Sequence, residues 1–112
     1  MGDRANIVLK SDGEQVCLYS HWTGSNIPKT LRAALRRGGD RLTDAQYLSR
    51  IVFCEMLKGD REGLDGLTGF GITQKPWDGA DRVVTVDVEA QTVEIGGKLQ
   101  SIEEFVSGVD GW

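Results

Sequence analysis

The segment that decides the fold is Asn6-Ile7-Val8-Leu9-Lys10-Ser11-Asp12-Gly13-Glu14-Gln15-Val16-Cys17-Leu18-Tyr19-Ser20. Two apolar runs flank an Asp-Gly pair, which favours a tight hairpin turn because both residue types tolerate a positive φ. We therefore predict strands over residues 6–10 and 15–20. Alternation along the second strand places Val16 and Leu18 on one face, and Cys17, Tyr19 and His21 on the other.

A first helix is predicted to follow the hairpin. Pro28 suits the first turn of a helix, and Gly38-Gly39 indicates its end. The helical spacing predicts an apolar stripe facing the core and a basic stripe on another face. The apolar stripe consists of Leu31, Ala34 and Leu35, and the basic stripe of Lys29, Arg32 and Arg36.

The rest of the chain predicts one more long helix, a group of strands and a short helix. Thr43-Asp44-Ala45-Gln46 has the pattern of a capping box, so the long helix is expected from there to about Lys58. Strands are predicted over residues 70–74, 82–88 and 92–95, and Ser101-Ile102-Glu103-Glu104 starts the last helix. The order ββ–αα–βββ–α favours an α+β fold, an antiparallel sheet with the helices on one face.

Length and composition exclude several classes of protein. The chain has 112 residues, enough for one domain over 1–112, with 39% hydrophobic and 27% charged residues. A net charge of −4 argues against binding to duplex nucleic acid. No apolar run approaches the ~20 residues of a membrane span, and the N-terminus lacks the apolar stretch of a signal peptide. We therefore expect a cytoplasmic protein without membrane partners.

No cofactor is expected. One histidine and two cysteines without CxxC spacing argue against zinc, and a Walker-type phosphate loop is missing from the sequence. Asp60-Arg61-Glu62-Gly63-Leu64-Asp65-Gly66 faintly resembles a calcium loop, but Leu64 stands where an oxygen ligand is needed. Residues 59–71, with five glycines, are instead expected to form a flexible loop. The redox state of Cys17 and Cys54 stays open, although buried thiols are the commoner state.

The best candidate site lies where the second strand meets the first helix. Aromatic rings can stack on a base, short polar side chains can donate hydrogen bonds, and a helix N-terminus favours an anion. Arginines can add positive charge. Equally open is a structural interpretation in which Trp22 plugs the core and the polar residues form a turn. The candidate ligand-binding residues are Arg4, Tyr19, His21, Trp22, Thr23, Ser25, Asn26, Arg32 and Arg36.

A basic segment over residues 29–41 is the second candidate surface. Five basic residues stand there against the single acid Asp40. Such a stripe is able to hold phosphates or an acidic protein surface. A solvated helix face is the interpretation that the pattern favours, because aromatic residues are not interleaved with the basic ones.

The first quarter of the chain resembles a group of small bacterial and phage proteins that is largely uncharacterised. The shared features are Met1-Gly2-Asp3-Arg4-Ala5, a strand, Asp12-Gly13, and the element Tyr19-Ser20-His21-Trp22-Thr23-Gly24. The resemblance singles out Arg4, His21, Trp22 and Gly24, and it implies a phage or mobile-element setting. Ser25-Asn26-Ile27 departs from the group's usual acidic or amide residue followed by an aromatic.

Three functional hypotheses follow. The first is a non-enzymatic phage protein, a counter-defence factor that sequesters a small anionic nucleotide, with a homo-oligomeric site left open. The second is a protein–protein inhibitor or adaptor acting on a host protein. The third and least supported is a small hydrolase using His21 with Asp12 or Asp3, for which the sequence offers no defined catalytic arrangement.

Overall fold

The computed structural model describes residues 2–58, 69–76, 82–108 and 112. Six strands and three helices make up this part of the chain, and two short 3₁₀ turns flank the first helix. The elements are β1 (Ala5–Ser11), β2 (Glu14–Ser20), α1 (Ile27–Gly38), α2 (Ala45–Lys58), β3 (Phe70–Thr73), β4 (Arg82–Asp87), β5 (Thr92–Ile95), β6 (Lys98–Ser101) and α3 (Ile102–Ser107). The α+β class is confirmed.

The strands form one sheet in the order β3-β2-β1-β4-β5-β6. The hairpin is confirmed: β1 and β2 pair antiparallel from Ala5↔Ser20 to Ser11↔Glu14, and Asp12 and Gly13 have φ values of 55° and 78°. These two positive φ values are typical of a type I′ turn, which Asp-Gly favours. The β3 strand is an edge strand, as predicted.

The expected all-antiparallel sheet is wrong at its centre. The β4 strand pairs parallel with β1, from Ala5↔Arg82 to Lys10↔Asp87. A parallel pair needs a long crossover connection, and β2, α1, α2 and β3 lie between these two strands in the sequence. The sheet is therefore mixed.

The sequence prediction also missed β6. The last predicted strand covers residues 92–95, but Gly96 and Gly97 form a turn that leads from β5 into β6, with φ values of 58° and 80°. This is again a two-residue turn with positive φ at both positions. Glycine tolerates these values without a steric cost.

One core joins the helices to one face of the sheet. It contains Ile7 and Leu9 from β1, Val84 and Val86 from β4, and the predicted stripe of α1. The side chains of Val8 and Cys17 are directly paired on the other face and are buried as well. Because β1 is buried on both faces, its unbroken apolar run fits a central strand.

The helix ends agree with the sequence in one case and differ in another. Ser101 and Glu104 form the predicted capping box at the start of α3. At α2 the capping residue is Asp44 rather than Thr43: its carboxylate accepts a hydrogen bond from the Tyr47 N–H at 3.3 Å, and its carbonyl accepts one from Leu48. Aspartate at this position satisfies an N–H group that the helix leaves unpaired.

The described helices include none that is long and apolar enough to cross a membrane. The expected flexible loop over residues 59–71 lies mostly outside the described residues, as does the calcium-like stretch over residues 60–66.

The Asp12-Gly13 turn gives the first testable prediction. Alanine in place of Gly13 meets no atom within 4 Å, so its only cost is the positive φ. We expect Gly13→Ala to lower the free energy of unfolding by about 1 kcal/mol. Urea denaturation measures this change. Gly71→Ala is the control, because its added Cβ would make only ordinary 4.0 Å contacts, and equal stability of the two variants would contradict the turn assignment.

Candidate functional site

The junction between β2 and α1 is held by the N-terminal segment of the chain. The Asp3 N–H donates to the His21 carbonyl at 2.7 Å, and the Gly24 N–H donates to the Asp3 carbonyl at 2.7 Å. A Cβ added to Gly24 would lie 2.6 Å from the Asp3 carbonyl oxygen, so only glycine fits this approach. The backbone of Asp3 therefore acts as a clamp on the residues that enter α1.

The carboxylate of Asp3 occupies the anion position that the sequence predicted for a ligand. The Ser25 N–H donates to Asp3 Oδ2 at 2.9 Å. The next two N–H groups also bond within the chain, Asn26 to the Thr23 carbonyl and Ile27 to the Gly24 carbonyl, and Pro28 has no N–H. A negative charge at a helix N-terminus is favourable, and here the protein supplies it.

Two further residues fix Asp3 in place. Its carboxylate forms an ion pair with Arg82 at the start of β4. The Arg82 guanidinium lies 5.7 Å from the centroid of the Trp112 ring, and the Trp112 Nε1–H donates to the Gly24 carbonyl at 2.7 Å. The hydrogen bonds from Ser25 and the Arg82 charge hold the pKa of Asp3 below its ordinary value.

An aromatic cluster, consisting of Tyr19, His21 and Trp22, lies beside this clamp. The Tyr19 hydroxyl is 2.7 Å from His21 Nδ1, a hydrogen bond that orients the imidazole. The His21 and Trp22 rings meet edge to face, with centroids 4.1 Å apart. The Trp22 side chain is nevertheless 53% exposed, so it is not a core plug.

Glycines make room for the aromatic cluster. The His21 N–H donates to the Gly69 carbonyl at 2.9 Å, and a Cβ added to Gly69 would lie 3.1 Å from Trp22 Cδ1. A Cβ added to Gly2 would lie 2.8 Å from His21 Nε2. Side chains at either position would displace the rings. The His21 and Trp22 rings are therefore closely approached by two backbone segments, at Gly2 and at Gly69.

The short polar residues of the junction have different roles. The Thr23 hydroxyl is 2.6 Å from the buried Ser20 hydroxyl, so it completes the turn internally. The side chains of Ser25 and Asn26 are exposed, and Asn26 makes no side-chain cap to α1. Only the last two are therefore placed to face a partner.

The structure gives Arg32 and Arg36 a structural role. Arg32 is buried at 8% exposure: its Nε–H donates to the Phe105 carbonyl at 2.9 Å, and its guanidinium lies 4.5 Å above the Phe105 ring. Arg36 Nη2 donates to the Val106 carbonyl at 2.7 Å. The predicted solvated basic stripe is therefore wrong at Arg32, because both arginines satisfy carbonyl groups of α3.

Arg4 lies next to the clamp through its backbone. A Cβ added to Gly24 would be 3.0 Å from both the carbonyl carbon and oxygen of Arg4. The Arg4 side chain is half-buried at the start of β1. The junction was predicted as a candidate site from the sequence, whereas Asp3, Gly69, Arg82 and Trp112 were not among the predicted site residues. Of these, Gly69 carries a sequence signal, because it lies directly before the edge strand β3 and a second glycine, Gly71, follows within that strand.

Comparisons with protein-family models, curated proteins and solved structures found no match to this chain. Within the described ranges, no group of three or more His, Cys, Asp or Glu side chains is placed to hold a metal ion.

The lowered pKa of Asp3 gives a prediction for stability against pH. An acid whose folded pKa is depressed stabilises the fold above its unfolded pKa of about 3.9, and that contribution is lost as pH falls towards the folded pKa. We expect the wild-type Tm to fall more steeply below pH 4 than the Tm of Asp3→Asn. Thermal unfolding followed by circular dichroism measures both curves.

Glu94→Gln, which removes an exposed carboxylate from β5, is the matched control for this measurement. It should keep the wild-type slope. Parallel pH profiles for wild type and Asp3→Asn would contradict the role given to the Asp3 carboxylate.

Proposed function

We propose that this chain is a non-enzymatic binding protein that recognises a protein partner through Trp22. The observation that carries the proposal is an indole that is 53% exposed and yet packed against His21 and Gly69. A large side chain that is already ordered loses little conformational entropy on binding. Tryptophan is also among the residues that contribute most to protein interfaces.

The surroundings of Trp22 fit a protein interface. Ser25 and Asn26 add exposed polar groups at the junction. An apolar anchor with polar residues around it is the usual composition of a transient interface. The partner surface should therefore offer an apolar pocket for the indole.

The geometry favours a protein over a small anionic nucleotide. The N–H groups from Gly24 to Ile27 already bond within the chain, and the Asp3 carboxylate supplies the negative charge. Arg32 and Arg36 each donate to a carbonyl of α3. A phosphate would have to displace Asp3 before it could use the helix N-terminus. These contacts remove most of the anion-binding capacity that the sequence suggested.

A nucleotide remains the second candidate because of one observation. The exposed indole of Trp22 offers a π face, and base stacking on an aromatic side chain contributes about 1–3 kcal/mol. In that case the base supplies the binding energy and the phosphate faces solvent. The phage or mobile-element setting and the counter-defence role rest on the resemblance of the N-terminal quarter to small phage and bacterial proteins. We propose both for either kind of ligand.

The test compares Trp22→Ala with Tyr47→Ala. Tyr47 lies on α2 and is 49% exposed, so its removal matches the loss of aromatic surface elsewhere on the protein. We expect immobilised wild type to retain one stoichiometric protein from a bacterial host lysate. Trp22→Ala should lose it, Tyr47→Ala should keep it, and titration calorimetry with that purified protein should show a loss of at least tenfold in affinity for Trp22→Ala.

Calorimetry of the wild type with a panel of cyclic nucleotides completes the test. The proposal expects no heat of binding from any of them. Saturable binding that disappears in Trp22→Ala would establish the nucleotide candidate instead. Equal retention of the host protein by wild type and Trp22→Ala would overturn the assignment of Trp22.

A further inference from the structure

A groove of about 850 Å³ lies at the other end of the sheet from the aromatic cluster. It separates the tip of the β1–β2 hairpin from the start of α2. In the hairpin register, Ala5↔Ser20 marks the junction end and Ser11↔Glu14 marks the tip, about 20 Å away at the rise of a strand. The volume falls within the range of ligand-binding clefts. The groove is therefore separate from the surface around Trp22.

The groove has an apolar floor and an acidic rim. Leu9, Val16 and Ala45 supply the apolar part. Among the described residues, the charged side chains that line the groove are Asp12, Glu14, Asp40 and Asp44, with Arg41 as the one base. A cleft lined by charges of one sign concentrates its field on a ligand of the opposite sign.

Arg41 does not neutralise this rim. Its guanidinium lies 4.6 Å from the centroid of the Tyr47 ring, and its Nη1 is 4.0 Å from Asp44 Oδ2. Asp44 is itself engaged as the cap of α2. By contrast, no hydrogen bond or ion pair joins the carboxylates of the three other rim acids to a described residue. Those three, Asp12, Glu14 and Asp40, are available to a cation.

The acidic surface continues around the hairpin tip. A smaller cleft of about 270 Å³ shares Asp12 and Glu14 with the groove and adds Asp87 and Glu89, and Lys10 is the one basic residue in its described lining. The Asp12 N–H donates to the Glu89 carboxylate, which fixes the tip against the turn after β4. A cationic segment leaving the groove over the tip would therefore remain beside carboxylates.

We propose that this groove binds a basic peptide segment of a partner protein, in which Arg or Lys alternates with apolar residues. Arginine and lysine carry an apolar stem and a cationic head, which matches an apolar floor below an acidic rim. A small polycation would use only the rim and leave the floor unfilled. The site does not depend on Trp22, because it lies at the opposite end of β1 and β2.

The test uses two labelled peptides of equal charge. Both carry three arginines between terminal glycines. The arginines are separated by leucines in one, the Leu-Arg peptide, and by serines in the other, the Ser-Arg peptide. Fluorescence anisotropy at low salt should show saturable binding of the Leu-Arg peptide and about tenfold weaker binding of the Ser-Arg peptide, because only leucine fills the apolar floor. Raising the ionic strength should weaken both.

Paired variants locate the binding. Glu14→Gln with Asp40→Asn removes two rim charges and should weaken the Leu-Arg peptide about tenfold. Glu94→Gln with Glu103→Gln removes two exposed charges elsewhere and should change the affinity less than twofold. Trp22→Ala should bind like the wild type, which separates this proposal from the function assigned to Trp22.

Four results would overturn the proposal. The first two are binding of the Leu-Arg peptide that does not saturate and equal affinity for the two peptides. The third is an equal loss of affinity for the Leu-Arg peptide in the two double variants. The fourth is complete displacement of that peptide by spermine at a concentration equal to the peptide's own. A second copy of this chain is the other possible occupant of the groove, and light scattering of the unliganded protein tests for it. A wild-type dimer that dissociates in the double variant Glu14→Gln with Asp40→Asn would assign the groove to that second copy instead of a peptide.

Discussion

The arrangement of the junction depends on Asp3. Its backbone joins the start of β1 to the turn after β2, and its carboxylate joins the helix entry to Arg82 at the start of β4. These contacts bring together three parts of the chain that are far apart in sequence. They also decide the chemistry of the junction, because an internal carboxylate fills the position in which a helix N-terminus would otherwise hold an external anion.

The functional interpretation changes once Asp3 is in place. A strand end rich in aromatic and short polar residues, followed by a helix, is a reasonable nucleotide site on sequence alone. With the N–H groups satisfied internally and Arg32 buried against Phe105, the proposed recognition rests on the exposed indole of Trp22. The groove at the hairpin tip adds an acidic surface at the opposite end of the sheet. The protein thus offers two chemically different surfaces, one apolar and one anionic.

Local sequence signals predicted local structure well. Asp12-Gly13 predicted the hairpin, Ser101 and Glu104 predicted the cap of α3, and alternation in β2 placed Leu18 and Cys17 on opposite faces. Gly96-Gly97 carries the same kind of turn signal as Asp12-Gly13, so β6 was predictable from the sequence. The capping residue of α2 was harder to assign, because Thr43 and Asp44 are adjacent and both are good N-cap residues.

Contacts between distant segments were not predictable from one sequence. The parallel pairing of β1 with β4 depends on which edge of the hairpin the returning chain reaches, and no local pattern encodes that choice. The same holds for the ion pair between Asp3 and Arg82, which are 79 positions apart. Arg32 fits the helical spacing of a solvated stripe, and only the position of α3 shows that it is buried.

The most direct test of the Asp3 account is a phosphate titration of the ¹⁵N-labelled protein at pH 7, followed at the Ser25 amide by NMR. If the Asp3 carboxylate occupies the helix N-terminus, this amide should show no saturable shift in the wild type. It should respond to phosphate in Asp3→Ala, where the position is vacated. A saturable shift of the Ser25 amide in the wild type would contradict the account, because it would show that an external anion reaches the site that Asp3 is said to fill.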